Sequence, residues 1–231
     1  MKTVLITGGN KGIGYSTALA LGKQGWHILI GARNEERGLE AIQKLKDAGV
    51  KKTDFVQIDL SIPEMIDRAT GDIGQRFSQL NLLINNAGVP GAFGPNLEET
   101  VDDLRATMDV NFFGTFQLTQ GLVPLLEKSH GRIINITIPT GPNPNWNPLS
   151  YKSSKAAQNV MMSSLAIDFE KESRNVEIFS IHPGPTTTDL NGNMEGEGFH
   201  TADDVAEKIV TIINDGKSHQ GEMLEIYGEL F

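Results

Sequence analysis

Short apolar runs alternate with helical segments along the chain, and this alternation restricts the possible folds more than any other feature of the sequence. The runs expected to form strands are residues 4–6, 26–30, 55–58, 82–84, 133–138, 176–181 and 223–227. The segments expected to form helices are residues 12–24, 34–48, 62–78, 97–128, 150–171 and 202–214. Apolar strands that alternate with helices are typical of a parallel sheet covered on both faces. We therefore predict an α/β fold with a seven-stranded, doubly wound parallel sheet.

The composition and charge exclude several functional classes. The 231 residues suffice for one substantial core, so we expect a single domain over residues 1–231. The net charge of −9 argues against nucleic acid as a partner. The absence of cysteine excludes disulfides and thiolate metal sites, and the five histidines are too scattered to predict a metal. The short apolar run at the N-terminus predicts neither a signal peptide nor a membrane span, so the cytoplasm is the expected location.

A glycine-rich turn follows the first predicted strand and opens the first predicted helix. Gly8, Gly12 and Gly14 allow tight turning and close approach of the backbone to a phosphate. The free N–H groups at a helix N-terminus attract such an anion. The spacing differs from the usual G-x-G-x-x-G pattern, so two interpretations remain: a dinucleotide site, or glycines that only form a turn. The position directly after strand one favours the dinucleotide site.

Charge at the end of the second predicted strand indicates which dinucleotide would bind. A carboxylate there favours NAD, whereas a basic residue accommodates the 2′-phosphate of NADP. This chain has Arg33 at that point and Lys11 inside the glycine turn, which favours NADP(H) over NAD(H). The alternative is that Arg33 is a solvated residue that pairs with Glu35 or Glu36.

Tyr151 and Lys155 are four residues apart in the predicted helix over residues 150–171, so they share one of its faces. A neighbouring ammonium lowers the pKa of a phenol by favouring the phenolate. A tyrosine tuned in this way can exchange a proton with a carbonyl or hydroxyl group near neutral pH. Most such pairs are ordinary helix residues, but beside a dinucleotide site this pair predicts oxidoreductase chemistry.

Several short motifs, taken in order, resemble those of the short-chain dehydrogenase/reductase family over essentially the whole chain. They are Thr7-Gly8-x-x-x-Gly12-Ile13-Gly14, Asp59-Leu60, Asn85-Asn86-Ala87-Gly88, Asn111, Tyr151-x-x-x-Lys155 and Pro183-Gly184-x-x-x-Thr188. The glycine turn is most similar to that of the NADPH-dependent carbonyl reductases in this family. The resemblance implies a Rossmann-type domain, NADP(H) as cofactor, and a small-molecule carbonyl or alcohol as substrate.

The resemblance also implies a role for each motif. Tyr151 would donate a proton to the substrate, Lys155 would hold the nicotinamide ribose and tune Tyr151, and Asn111 would sit at a helix kink and hold a water that links Lys155 to solvent. Asp59 and Leu60 would contact the adenine. The residues implied to contact the cofactor, besides Tyr151 and Lys155, are Gly8, Asn10, Lys11, Gly12, Ile13, Gly14, Arg33, Asp59, Leu60, Asn86, Ala87, Gly88, Pro183, Gly184, Thr186 and Thr188.

The chain departs from the family pattern at one catalytic position. The family has a serine thirteen residues before the tyrosine, where it hydrogen-bonds the substrate carbonyl, and this chain has Ile138 there. Isoleucine has no donor, and loss of one such donor in other enzymes costs roughly 10²–10³ in rate. Thr140 is the candidate substitute if the strand stays extended, whereas Thr137 should point to the opposite face. The alternative is that Thr140 only caps a turn.

These features support two functions. The first is an NADPH-dependent carbonyl reductase or alcohol dehydrogenase for a small apolar ketone or aldehyde, favoured by the intact Tyr151, Lys155 and Asn111. The second is an NADP(H)-binding sensor or scaffold with little turnover, favoured by Ile138. Substrate selectivity is expected to reside in three loops. They comprise residues 89–96, 139–149 and 189–200. Phe93, Trp146, Met194 and Phe199 are candidate pocket residues, and the alternative for each is that it only packs its loop against the protein.

The two long predicted helices, over residues 97–128 and 150–171, carry apolar residues on more than one face. A helix that is apolar nearly all round is buried on both sides. The resemblance implies that these helices pair between subunits. We therefore expect a homodimer or homotetramer, with a monomer as the alternative, and no membrane partner.

Overall fold

Seven parallel strands form one continuous sheet in the computed structural model, which describes residues 1–92, 94–143 and 146–228. The strands are β1 (Thr3–Thr7), β2 (His27–Ala32), β3 (Thr53–Gln57), β4 (Leu82–Asn85), β5 (Arg132–Ile136), β6 (Glu177–His182) and β7 (Met223–Glu225). Their order across the sheet is β3-β2-β1-β4-β5-β6-β7. The predicted α/β class and the seven-stranded parallel sheet are confirmed.

Helices cover both faces of this sheet. They are α1 (Gly12–Lys23), α2 (Glu35–Asp47), α3 (Pro63–Arg76), α4 (Val101–Met108), α5 (Thr115–Glu127), α6 (Leu149–Lys171) and α7 (Ala202–Ile213). Short 3₁₀ turns at Asn96–Glu98 and Asp189–Asn191, and a π turn at Asp109–Gly114, lie in the connections. Within the described ranges, none of the helices combines the length and the apolar character that crossing a bilayer requires.

The sheet separates two apolar cores, and the alternation of side chains along each strand decides which core a residue enters. In β1, Leu5 joins the core beneath α3, α5 and α6, whereas Val4 and Ile6 join the core beneath α1, α2 and α7. All five residues of β1 are buried. Burial on both sides explains why the central strands are apolar throughout.

The strand order reverses at β1, which pairs with β2 on one side and with β4 on the other. Connections on the two sides of this point diverge to opposite faces of the sheet and leave a crevice beyond the carboxyl ends of the strands. The glycine turn follows β1, and the other predicted site residues lie in loops, in the π turn or in α6, all in the connections that follow β2 to β6. The topology therefore brings the predicted site residues to one edge of the sheet.

The prediction of a single helix over residues 97–128 is wrong. The helix starts only at Val101, because Thr100 caps it: the Thr100 hydroxyl accepts from the Asp103 N–H, and the Asp103 carboxylate accepts from the Thr100 N–H. The π turn then separates α4 from α5.

β5 ends at Ile136, two residues before its predicted end at Ile138. Pro139 has no N–H with which to extend the ladder of hydrogen bonds. The chain around the missing serine position is therefore loop rather than strand. The remaining predicted boundaries agree with the structure to within two residues.

Candidate active site

The glycine turn lies against the segment that follows β4. Gly8 has a φ of +63°, and a Cβ there would be 3.0 Å from the Ala87 Cα. A Cβ at Gly14 would be 2.5 Å from the Asn86 Nδ2. That amide donates to the carbonyl oxygens of Thr7 (2.9 Å) and Gly8 (3.3 Å). The turn is therefore closely packed, and a side chain at either glycine would displace its neighbours.

The N-terminus of α1 presents free backbone donors beside this turn. Lys11 is the N-cap residue, with an extended backbone and no side-chain cap. The first hydrogen bond of the helix runs from the Tyr15 N–H to the Lys11 carbonyl. The N–H groups of Gly12, Ile13 and Gly14 therefore have no partner within the helix. Together with the positive end of the helix dipole, they fit a pyrophosphate.

Basic side chains surround the outer end of this turn. Arg33 is exposed directly after β2, the strand next to β1. Lys11 forms an ion pair of 2.7 Å with Asp189, from the loop after β6, and both side chains are 56% exposed. Hydrogen bonds from Lys11 and Asn193 lower the pKa of Asp189. The charge of Arg37 acts in the same direction, which places a further basic residue near the site.

The residues expected near the adenine follow β3. The half-buried Asp59 accepts from the Ser61 N–H (2.9 Å) and from the Ser61 hydroxyl (2.6 Å). The Leu60 side chain enters the core. A Cβ at Gly114, in the π turn, would be only 2.0 Å from the Leu60 carbonyl oxygen. The main chain after β3 is thus fixed against the π turn.

Asn111 is buried in the π turn that separates α4 from α5. Its Nδ2 donates to the Val89 carbonyl and to the Ser154 Oγ, both at 2.9 Å, and its Oδ1 accepts from the Val89 N–H at 2.8 Å. Gly88 packs against this amide, because a Cβ there would be 3.2 Å from the Oδ1. One side chain therefore connects the π turn, the loop after β4 and α6.

Lys155 extends from α6 to the end of β5. Its Nζ donates to the Ile136 carbonyl (2.9 Å) and to the Gln158 Oε1 (3.0 Å), and it lies 5.7 Å from the centroid of the Tyr151 ring. The residue is 2% exposed. Burial lowers the pKa of Lys155 to about 8, because the ammonium loses its hydration.

Tyr151 is buried beside Lys155, and this burial raises the pKa of its phenol. The predicted lowering of that pKa by Lys155 is therefore wrong in direction. The ammonium lies over the ring and donates to Ile136 and Gln158, so its attraction for a phenolate is weaker than the desolvation penalty. The phenol consequently keeps its proton through neutral pH.

The segment just beyond β5 is held by Asn159 from α6. Its Oδ1 accepts from the Thr137 hydroxyl at 2.7 Å, and its Nδ2 donates to the Ile138 carbonyl at 3.0 Å. Thr137 is buried, Ile138 is half-buried and Thr140 is exposed. In the described part of the chain, none of these residues forms a hydrogen bond with Tyr151.

Asn96 joins the loop after β4 to the loop before α6. Its Nδ2 donates to the Asn147 carbonyl (3.2 Å), and its Oδ1 accepts from the Leu149 N–H (3.1 Å). Glu99 adds a second connection by accepting from the Ser150 N–H at 3.2 Å. Two of the three predicted selectivity loops are thus tied together.

Trp146 is the candidate pocket residue that the structure brings to Tyr151. The two rings meet edge to face with centroids 5.5 Å apart, and Trp146 remains 46% exposed. Met194 is exposed and Phe199 is half-buried. Phe93 lies outside the described residues.

The loop after β6 approaches the glycine turn from the other side. It begins at Pro183, and Gly184 adopts a φ of +71°. The buried Thr186 hydroxyl donates to the Gly184 carbonyl at 3.0 Å. The Thr188 methyl group would be 3.5 Å from a Cβ at Gly12. This loop therefore borders the crevice at the glycine turn.

Sequence comparison identifies the family to which this site belongs. The family model for short chain dehydrogenases matches residues 2–197. The chain is 32% identical to the short-chain dehydrogenase anuI of Penicillium roqueforti, over 98% of this chain and 92% of that protein. It is 31% identical to human 17-beta-hydroxysteroid dehydrogenase type 2, over 84% of this chain and 50% of that longer protein.

Solved structures share the fold. A short chain dehydrogenase from Salmonella enterica serovar Typhi has a TM-score of 0.88 at 26% identity, over 98% of this chain and 96% of that one. One from Shigella flexneri, solved with NADP, has a TM-score of 0.88 at 24% identity, over 97% and 96% of the two chains. The protein belongs to the short-chain dehydrogenase/reductase family and is an oxidoreductase.

Four residues at the site are not identified by the sequence analysis: Arg37, Gln158, Asn159 and Asp189. Gln158 follows Lys155 by three residues within α6, so helical spacing could have indicated it. Arg37 lies in the first turn of α2, whereas Arg33 precedes that helix, so helical spacing does not connect them. Asp189 is 178 residues from its partner Lys11, and no local pattern connects them.

Proposed function

We propose that the protein reduces a carbonyl group to an alcohol with NADPH, within a single dinucleotide-binding and catalytic domain over residues 1–231. The placement of Tyr151 and Lys155 carries the proposal: they are buried together at the sheet edge that also holds the glycine turn. A buried phenol that keeps its proton is suited to donate it to a substrate oxygen.

The residues around the crevice fit NADP(H). The free N–H groups of Gly12, Ile13 and Gly14 suit its pyrophosphate, and Lys11 and Arg33 suit its 2′-phosphate. The other proposed contacts are Gly8, Asn10, Asp59, Leu60, Asn86, Ala87, Gly88, Tyr151, Lys155, Pro183, Gly184, Thr186 and Thr188. NADPH supplies the hydride when it is bound.

Each catalytic residue has a separate task. Tyr151 protonates the carbonyl oxygen, and the positive charge of Lys155 favours the phenolate that is left behind. Asn111 holds a water through which the proton on Tyr151 is restored by way of Lys155. Since Ile138 offers no donor, Tyr151 also orients the carbonyl, unless the exposed Thr140 moves inward when substrate binds.

Cofactor preference is expected to favour NADPH, because Arg33 rather than a carboxylate directly follows β2 and Lys11 lies in the glycine turn. A relative of the same fold was solved with NADP. We expect the Kd for NADPH to be at least about tenfold lower than that for NADH, a difference of about 1.4 kcal/mol. Titration of the intrinsic tryptophan fluorescence measures both constants, and tighter binding of NADH would contradict the proposal.

Replacing Asp189 by asparagine is expected to lower the Kd for NADPH by about 1.5- to 5-fold. This factor corresponds to the usual free energy of one exposed ion pair. The change keeps the size of the side chain and removes a carboxylate that competes with phosphate for Lys11. Fluorescence titration measures the change. Glu195→Gln, at another exposed carboxylate of the same loop, is the matched control. An unchanged Kd in Asp189→Asn would show that Lys11 does not bind the cofactor phosphates.

The substrate is proposed to be an apolar ketone or aldehyde. Trp146 provides an apolar wall beside Tyr151, and Ile138 replaces a polar group. Relatives include hydroxysteroid dehydrogenases from human and from Sesamum indicum. The test is NADPH oxidation over aliphatic, aromatic and steroid ketones and aldehydes, with turnover expected for at least one apolar class.

A second function, NADP(H) binding with little turnover, is favoured by Ile138 alone. Saturable NADPH binding without turnover on any carbonyl of the panel would support this alternative and contradict the reductase. If the reductase proposal is correct, Ile138→Ser is expected to increase the rate, because it restores the donor that the family has at this position.

We also propose a homodimer or homotetramer. Large apolar side chains are exposed on the π turn, α5 and α6: Phe113, Phe116, Val160 and Ile167. Such a surface is typical of a subunit interface. Sedimentation velocity at several concentrations tests the proposal, and a monomer at all of them would contradict it.

A further inference from the structure

Gln158 is a buried polar side chain next to Lys155, and it has no role in the proposed reduction. It is 0% exposed and accepts from the Lys155 Nζ at 3.0 Å. An ammonium can only donate, so the amide oxygen must face Lys155 and the amide nitrogen must face away. Among the described residues, the Gln158 Nε2 has no hydrogen-bond partner.

The position of Gln158 along α6 shows which part of the sheet lies beneath it. Lys155, three residues earlier on α6, donates to the Ile136 carbonyl at the end of β5. Asn159, the next residue of α6, accepts from the hydroxyl of Thr137, one residue beyond β5. This turn of α6 therefore lies over the end of β5, where Asn135 immediately precedes Ile136.

A row of polar side chains crosses the sheet at the level of Asn135. Asn85, Asn135 and Ser180 are register partners on β4, β5 and β6, and all three are buried. The Asn85 Nδ2 donates to the Asn135 Oδ1 (2.9 Å) and to the Thr119 Oγ1 (3.0 Å). The Asn85 Oδ1, the Asn135 Nδ2 and the Ser180 Oγ have no partner within the described chain. Buried polar atoms are rarely unpaired, so this polar row needs an explanation.

We propose that Gln158 is a positioning residue that holds the Lys155 ammonium against the end of β5 and keeps it charged, while the polar row anchors the Gln158 amide. The inference rests on the proposed role of Lys155 in carbonyl reduction. The donor and acceptor types match: the amide nitrogen of Gln158 needs an acceptor, and Asn85 and Ser180 each have a free one. Because none of these atoms has a direct partner in the described chain, the contact is made through a buried water.

The ammonium depends on Gln158 because few other groups stabilise it. Tyr151 is the titratable group that α6 places against Lys155, β5 contributes the Ile136 carbonyl, and the π turn contributes the uncharged Asn111. Among the described residues, no carboxylate pairs with Lys155, and burial is the cause of its lowered pKa. Removal of one of its two oxygen acceptors should make the neutral amine still more favourable.

The test is an NMR titration of the Lys155 side chain in the full chain without added cofactor, with its signal assigned from the Lys155→Arg variant. In Gln158→Leu the midpoint of the Lys155 titration is expected to fall by about one pH unit or more. In Gln158→Glu the same midpoint is expected to rise. The alkaline side of the pH profile of kcat/KM for carbonyl reduction should shift to lower pH in Gln158→Leu and to higher pH in Gln158→Glu. This part of the profile reports ionisation of the enzyme before the carbonyl binds.

Gln220→Leu is the matched control. Gln220 donates to the Ala166 carbonyl and accepts from the Ile178 N–H, so its loss should reduce stability without moving the Lys155 midpoint. An unchanged midpoint in Gln158→Leu would overturn the inference. If that variant does not fold, an unchanged midpoint in Gln158→Glu would overturn it instead. The titration needs no turnover, so its result is independent of failure of the carbonyl assay.

Discussion

Replacement of Tyr151 by phenylalanine is expected to lower kcat for carbonyl reduction by about 10²–10⁴-fold, the usual contribution of a general acid. The substitution removes only the hydroxyl group. The ring stays, and with it the edge contact to Trp146 and the position beneath the Lys155 ammonium. Single-turnover reduction with saturating NADPH measures the effect on the chemical step.

Two further measurements make this result specific. The Kd for NADPH should stay within about twofold of the unsubstituted value, since the phenol hydroxyl is one contact among many. Tyr227→Phe, at a tyrosine that stacks on His200 away from α6, should leave kcat unchanged. A Tyr151→Phe variant that turns over at the original rate would remove Tyr151 from the mechanism.

Replacement of Gly114 by alanine is expected to destabilise the fold by about 3 kcal/mol or more, the upper end of the usual range for overpacking. The added Cβ would be 2.0 Å from the Leu60 carbonyl oxygen and 2.7 Å from its carbon. These are backbone atoms, so no rotamer change can relieve the contact. For a chain of this size the melting temperature should fall by about 6–12 °C.

Thermal and urea unfolding measure this loss. Gly71→Ala is the matched control, because Gly71 lies inside α3 with no atom within 4 Å of the added Cβ. That change should stabilise the protein by about 0.5–1 kcal/mol. Since Leu60 follows β3 at the proposed adenine end, NADPH binding by Gly114→Ala should also weaken. An unchanged melting temperature would contradict the close packing of the π turn.

The sheet and the cofactor crevice could be predicted because their signals are local. Apolar runs such as residues 4–6 identify strands buried on both faces, and parallel strands place their carboxyl ends at one edge. The glycine turn, Arg33 and the segment after β4 all follow such strands, so they lie at the same edge of the sheet. Asn111 lies in a π turn between α4 and α5.

Other features depend on contacts that no short pattern encodes. The pKa of Tyr151 follows from how deeply the phenol is buried, which the spacing to Lys155 cannot show. The start of α4 at Val101 depends on which of several polar residues becomes the cap, and Thr100 takes that position. The pairing of Lys11 with Asp189 depends on a loop that returns to the glycine turn from the far side of the sheet.

The bridge made by Asn96 has a consequence for attempts to redesign this protein. The loop after β4 and the loop before α6 share two hydrogen bonds through one amide, and Glu99 adds a third. A chimera that exchanges only residues 139–149 for a homologous segment would keep Asn96 but alter the backbone it binds. The two segments are therefore best exchanged together when one of them is redesigned.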